Sequence, residues 1–153
     1  MPLPSPYAFV TLVTNRDYAM GAAALVRSLK LTGTAADLKA LEANVAAADA
    51  ATKAGDMGRR AEIHYEFHSL LARAAKNPVL IILTDALMEM TRHFVEAIGY
   101  RPNPYVMPSR KRLLAALRAK DADAAAAEMA SMLKRLQKFH LDLYESASKK
   151  KRK

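Results

Sequence analysis

Cysteine is absent from the 153-residue chain, which removes every thiolate metal site, disulfide and cysteine nucleophile. Tryptophan is absent too, and glycine is scarce at five residues. There is accordingly no glycine-rich phosphate loop and no G-x-S-x-G nucleophile elbow. No stretch reaches the roughly 18 uninterrupted apolar residues that a spanning helix needs. The opening, MPLPSPYAFVTLVTN, has neither the basic n-region nor the longer apolar h-region of a secretory signal. These absences lead to the expectation of a cytoplasmic protein with no membrane partner. A chain of this length can bury one core without a disulfide or structural metal.

The 24 basic and 15 acidic side chains give a net charge of +9. Much of that excess sits in Lys149, Lys150, Lys151, Arg152 and Lys153. A terminal run of like charge reads first as a solvated, disordered tail. Its functional alternative is sequence-independent contact with nucleic acid through phosphate neutralisation.

Alanine, the best helix former, is abundant, and helical signals dominate from about residue 16. The reading is an arm at 1–15, a helical domain at 16–147 and a basic tail at 148–153. Within the arm, Phe9 to Thr14 is rich in β-branched residues and reads as a short strand or extended segment. Helices are expected over Asp17–Leu31, from the Thr34 cap to about Lys53, and over Met57–Ala75. Asn77-Pro78 stops the third, and an apolar helix follows over 79–98. Its first half is hydrophobic on every side, which places it at the centre of a bundle. Pro102, Pro104 and Pro108 read as a stiff connection to a short helix over about Ser109–Ala119. Asp121 or Asp123 caps the last helix, where Met129, Met132, Leu133, Leu136, Phe139 and Leu143 recur at helical spacing. The fold class is all-α: an antiparallel bundle of about six helices.

His64 and His68 stand at i and i+4, so their imidazoles share a helix face and could chelate one metal ion. The alternative is a pair of surface or hydrogen-bonded core histidines. Tyr65, not glutamate, follows His64, which argues against a zinc-protease motif. Asp121-Ala122-Asp123 has the form of a sugar-nucleotide transferase's D-x-D, but helix capping explains it. Arg92 sits in the apolar helix beside Met88 and Val95. It needs an anionic partner, either a ligand carboxylate or an internal carboxylate such as Asp85 or Glu89.

Three segments, LEANVAAADAATKAGD at 41–56, HYEFHSLLARAAKNPVL at 64–80 and SRKRLLAALRAKDADAAAAEM at 109–129, carry a family pattern. The stretch from about Leu38 to Leu143 resembles the FadR-type C-terminal effector domain (FCD) of GntR-family transcription regulators. Phe67, His68, Leu71, Ala74, Asn77 and Leu80 match its D-x-x-F-H-x-x-L-x-x-A-x-x-N-x-x-L segment. The resemblance implies a bundle with a central ligand cavity, no enzyme activity, and dimerisation. In its metal-binding branch, one aspartate and three histidines hold a divalent ion. Those positions fall here on His64, His68, Arg110 and Met132, so two of four ligands are lost and a third has changed type. A two-histidine remnant at His64 and His68 could still take zinc or nickel, with His93 as a further donor. The preferred reading is a cavity without metal, in which Arg110 supplies the positive charge. A small organic acid or acyl metabolite would then be bound by Arg92, Arg110, His64, His68 and Met132.

The family's winged helix-turn-helix has no counterpart in residues 1–34, so direct sequence-specific DNA binding by this chain is not expected. Residues 8–34, AFVTLVTNRDYAMGAAALVRSLKLTGT, are also similar to the opening of glycogenin-like glycosyltransferases. The competing functions are therefore a fragment or fusion of such a transferase and a basic helical nucleic-acid-binding protein.

Overall fold

The computed structural model describes residues 33–98 and 103–150. The segments expected as an arm, a strand over Phe9–Thr14 and a helix over Asp17–Leu31 lie outside the described residues, as do residues 151–153. Among the described residues there are five helices and no strand: α1 (Ala35–Lys53), α2 (Met57–Ala74), α3 (Pro78–Ile98), α4 (Val106–Arg118) and α5 (Ala122–Lys150). None is long and apolar enough to cross a membrane.

Local chemistry sets the helix ends. Thr34 and Asp37 form a capping box at α1, each side chain accepting from the other's backbone N–H. Asp56 caps α2 by accepting from the Arg59 N–H at 2.9 Å. Asn77 accepts from the Val79 and Leu80 N–H groups, while Pro78 fills the first position of α3, where no donor is needed. α1 closes with Gly55 at φ 72°, and Gly55 and Asp56 return their N–H groups to Thr52 and Ala51. α4 ends the same way around Lys120 at φ 57°, a left-handed conformation that glycine adopts more easily. Asp121 caps α5 through the Ala124 N–H, which decides between the two aspartates.

Two boundaries and the place of one helix differ from expectation. α4 begins at Val106, ahead of Ser109, because Pro108 falls in the first turn, whose N–H groups have no helical acceptor anyway. α5 runs to Lys150, past the 147/148 boundary drawn for the tail. Lysine is a good helix former, and positive charge is favourable at a helix C-terminus. The largest correction concerns α3. It packs on α2 at the edge of the bundle, and Val79, Ile82, Leu83 and Met90 are exposed. Apolar composition shows that a helix has faces to bury, but not how many of them its own chain covers.

α1 packs on α2 and α4, α2 also on α3, and α4 on α5. The main core joins Leu41 and Val45 of α1, Phe67 and Leu71 of α2, Leu113 and Leu114 of α4, and Met129, Met132 and Leu133 of α5. A smaller cluster of Ala48, Ala51 and Ile63 receives Met107. Met107 thus lies level with Ile63, while Leu117 lies near Ala74 in a shared recess. α2 and α4, which both pack on α1, therefore run in the same direction, as alternate helices of an up-and-down bundle do.

Candidate functional site

The α2 face that meets α4 carries His64, Phe67, His68 and Leu71, spaced i, i+3, i+4 and i+7. Phe67, His68 and Leu71 are buried and His64 is half-buried. Opposite them, Arg110 of α4 is the largest fully buried side chain, 1% exposed. Its Nη2 donates to His64 Nδ1 at 2.8 Å and to the His64 carbonyl oxygen at 3.1 Å. A guanidinium only donates, so this Nδ1 accepts and the His64 ring proton belongs on Nε2. The Arg110 head also lies over the Phe67 ring, 4.1 Å from its centroid. His64 and His68 meet edge to face at 5.3 Å, as do Phe67 and His68 at 5.9 Å. Burial, assisted by the Arg110 charge, pushes the His68 pKa down to about 3. At neutral pH this centre therefore holds a neutral His68 ring beside a buried guanidinium.

Met132 is buried in the core cluster that includes Phe67. The structure thus brings His64, His68 and Arg110 together and places Met132 in the packing around them. Arg92 goes elsewhere. Its Nη1 donates to Glu62 at 2.6 Å, its Nε lies 3.5 Å from Glu89, and its head lies 5.0 Å from the Tyr65 ring centroid. The carboxylate it needed comes from its own chain, as the internal-pair alternative held, with Glu62 of α2 as the main partner. Asp85 instead accepts from the Ser69 hydroxyl. Arg92 lines a recess of about 430 Å³ with Glu62, Glu66, Asp85 and Glu89, and none of His64, His68, Arg110 and Met132 lines it.

The donor set does not suit zinc or nickel. Among the described residues no group of three or more histidine or acidic side chains could hold a metal. The Arg110 N–H is directed at the His64 Nδ1 lone pair, and its fixed charge repels a cation beside either imidazole. His93, the further donor considered, is exposed on α3 between Glu89 and Glu96.

A second polar cluster, which the sequence reading missed, joins α4 to α5. Glu128 accepts from Arg112 Nε and Nη2 at 2.8 and 2.9 Å and from Arg135 Nη2 at 2.9 Å. Arg112 and Arg135 both donate to the buried Ser109 hydroxyl oxygen. Arg112, with help from Ser109 and Arg135, holds the Glu128 pKa down to about 2. Ser109 and Arg110 are sequence neighbours, yet one serves the α4–α5 seam and the other the α2–α4 seam. Arg60 and Asn103 are also buried polar residues that went unnoticed. Arg60 could have been found from its spacing, one turn before His64 on the same face.

The sequence matches the FCD domain family over residues 21–135. The chain belongs to the FCD domain family. That domain is the effector-binding, regulatory and non-enzymatic part of GntR-family transcription regulators. The match begins inside the segment 8–34 that resembled a glycosyltransferase opening. Two solved structures share the fold. The chain is similar to Streptococcus agalactiae GntR, with a TM-score of 0.73 and 19% identity over 89% of this chain and 62% of that one. It is also similar to E. coli McbR/YncC, with a TM-score of 0.73 and 21% identity over 86% of this chain and 64% of that one. This FCD chain thus spans less than two thirds of either. No curated protein matches the sequence.

Proposed function

We propose that this FCD domain senses a small organic acid or acyl metabolite in a cavity between α2, α4 and α5, without a metal ion. The observation that carries the reading is the buried Arg110 guanidinium held against His64 and stacked on Phe67. In the family's metal-binding branch, a divalent ion would supply the cavity's positive charge. Here a guanidinium supplies it at one of the former ligand positions, and its planar fork is matched to a carboxylate. His64 orients Arg110, the neutral His68 ring keeps the surroundings uncharged, and Met132 gives the site an apolar wall.

Ligand binding would favour one arrangement of α4 against α2 over another and so act on an attached or partner DNA-binding module. The domain works as a homodimer in this reading. Val79, Ile82, Leu83 and Met90 form an exposed, uncharged stripe on α3 suited to pairing with its own copy. Analytical ultracentrifugation should show a dimer that Ile82→Glu converts to monomer. Arg92, already paired with Glu62, contributes to the stability of the outer face and not to the ligand. The decisive test is calorimetric titration of the protein with acetate, butyrate, succinate and acyl-CoA. Arg110→Met should lose the binding that the wild type shows, whereas unchanged affinity contradicts the reading.

A further inference from the structure

Arg60 lies on α2 one helical turn before His64 and is 7% exposed. Its Nη1 is buried with no hydrogen-bond partner, and no ion pair reaches it among the described residues. Asn103, just ahead of α4, is 6% exposed. Its Oδ1 accepts from the Tyr105 backbone N–H at 2.9 Å, which fixes the amide, while its buried Nδ2 has no partner.

These two donors belong to the same end of the α2–α4 seam. The helices run in the same direction and are matched in level by the His64–Arg110 hydrogen bond and by Met107 against Ile63. One turn back from these contacts, Arg60 comes to the level of the start of α4, where the Val106 N–H bonds to the Asn103 carbonyl oxygen at 3.4 Å. A guanidinium nitrogen and an amide nitrogen are thus both withdrawn from water without an acceptor. That is costly for either group, and more so for the charged one. Both groups can only donate at these atoms, so the missing partner must be an acceptor, and beside a guanidinium an anionic one is favoured.

We infer that Arg60 and Asn103 form a second anionic subsite, about one helical turn from Arg110, and that the effector is a short dicarboxylate. The helical pitch of about 5.4 Å is comparable to the separation of two carboxyl groups joined by two or three methylenes. Succinate and glutarate have that reach. A monocarboxylate of equal length would fill the same space but leave Arg60 without its acceptor. This inference rests on the reading that Arg110 takes the first carboxylate.

The test is calorimetric titration of the full chain with succinate and glutarate, each against the monocarboxylate of equal length, butyrate and pentanoate. The wild type should bind the diacid at least ten-fold more tightly than its partner. Arg60→Met should erase that preference by weakening the diacid at least ten-fold, while Arg110→Met should weaken both acids. Asn103→Ala, which removes only a neutral donor, should reduce the preference several-fold and serves if Arg60→Met does not fold. Equal affinities in the wild type, or a preference that survives Arg60→Met, overturns the subsite. If Arg110→Met still abolishes monoacid binding in that case, the Arg110 reading stands alone. Absence of binding by all four acids overturns the subsite, and the Arg110 reading falls with it if acyl-CoA also fails to bind.

Discussion

Arg110 and Arg92 approach different faces of α2 and meet different company there. Arg110 reaches the His64–Phe67–His68 stripe and is buried against an imidazole, a carbonyl and a phenyl ring. Arg92 reaches the Glu62–Tyr65 stripe and stays partly exposed between two carboxylates. The first arrangement keeps positive charge in the interior, where the effective dielectric is low and an anion is strongly attracted. The second neutralises its charge within the protein, in a setting that solvent screens. A cation near apolar residues is therefore not by itself a binding group; the side chains delivered by the neighbouring helix decide.

The contrast can be broken hardest at the inner site. Phe67 is fully buried beneath Arg110, so Phe67→Ala should destabilise by about 3–5 kcal/mol in urea unfolding. Next in size is a dependence on pH. The folded His68 pKa lies near 3, below the ordinary 6.5, so the unfolded chain binds more protons throughout that interval. The contribution of His68 to stability is thus fully present above pH 6.5 and is lost as pH falls toward 3. Between pH 6.5 and 5 the loss should be about 2 kcal/mol, and His68→Gln should flatten that slope. Glu128 adds its own decline only from its ordinary 4.5 toward 2, so the interval from pH 6.5 to 5 reports His68 without Glu128.

The outer face should respond far less. Arg92→Ala should cost below about 1 kcal/mol in the same unfolding assay and leave acid binding unchanged. If it abolishes binding, the distinction between the two arginines fails. The smallest effect tests local backbone and not charge. Lys120→Gly relieves a left-handed lysine at the end of α4 and should raise stability by about 0.5–1 kcal/mol.

Much of this was legible in the residues because the signals are local. The capping box at Thr34, the Asn77-Pro78 stop and Gly55 each act within a few positions, and the corresponding helices lie where they point. The histidine pair at i and i+4 and the family positions likewise led to Arg110. What failed was non-local. The apolar run of α3 contains no statement of which neighbours cover it, and it stands at the periphery. Glu62 precedes Arg92 by a whole helix and a turn, so no spacing rule links them. Asn103 sits between two prolines with no periodic pattern, and only the level of α4 against α2 relates it to Arg60.

Arg110 as the anion anchor is tested most directly by one titration. Succinate should bind the wild-type protein without added metal and in the presence of chelator, and Arg110→Met should weaken it by at least ten-fold. Binding that requires zinc or nickel, or that survives Arg110→Met unchanged, would contradict the central claim.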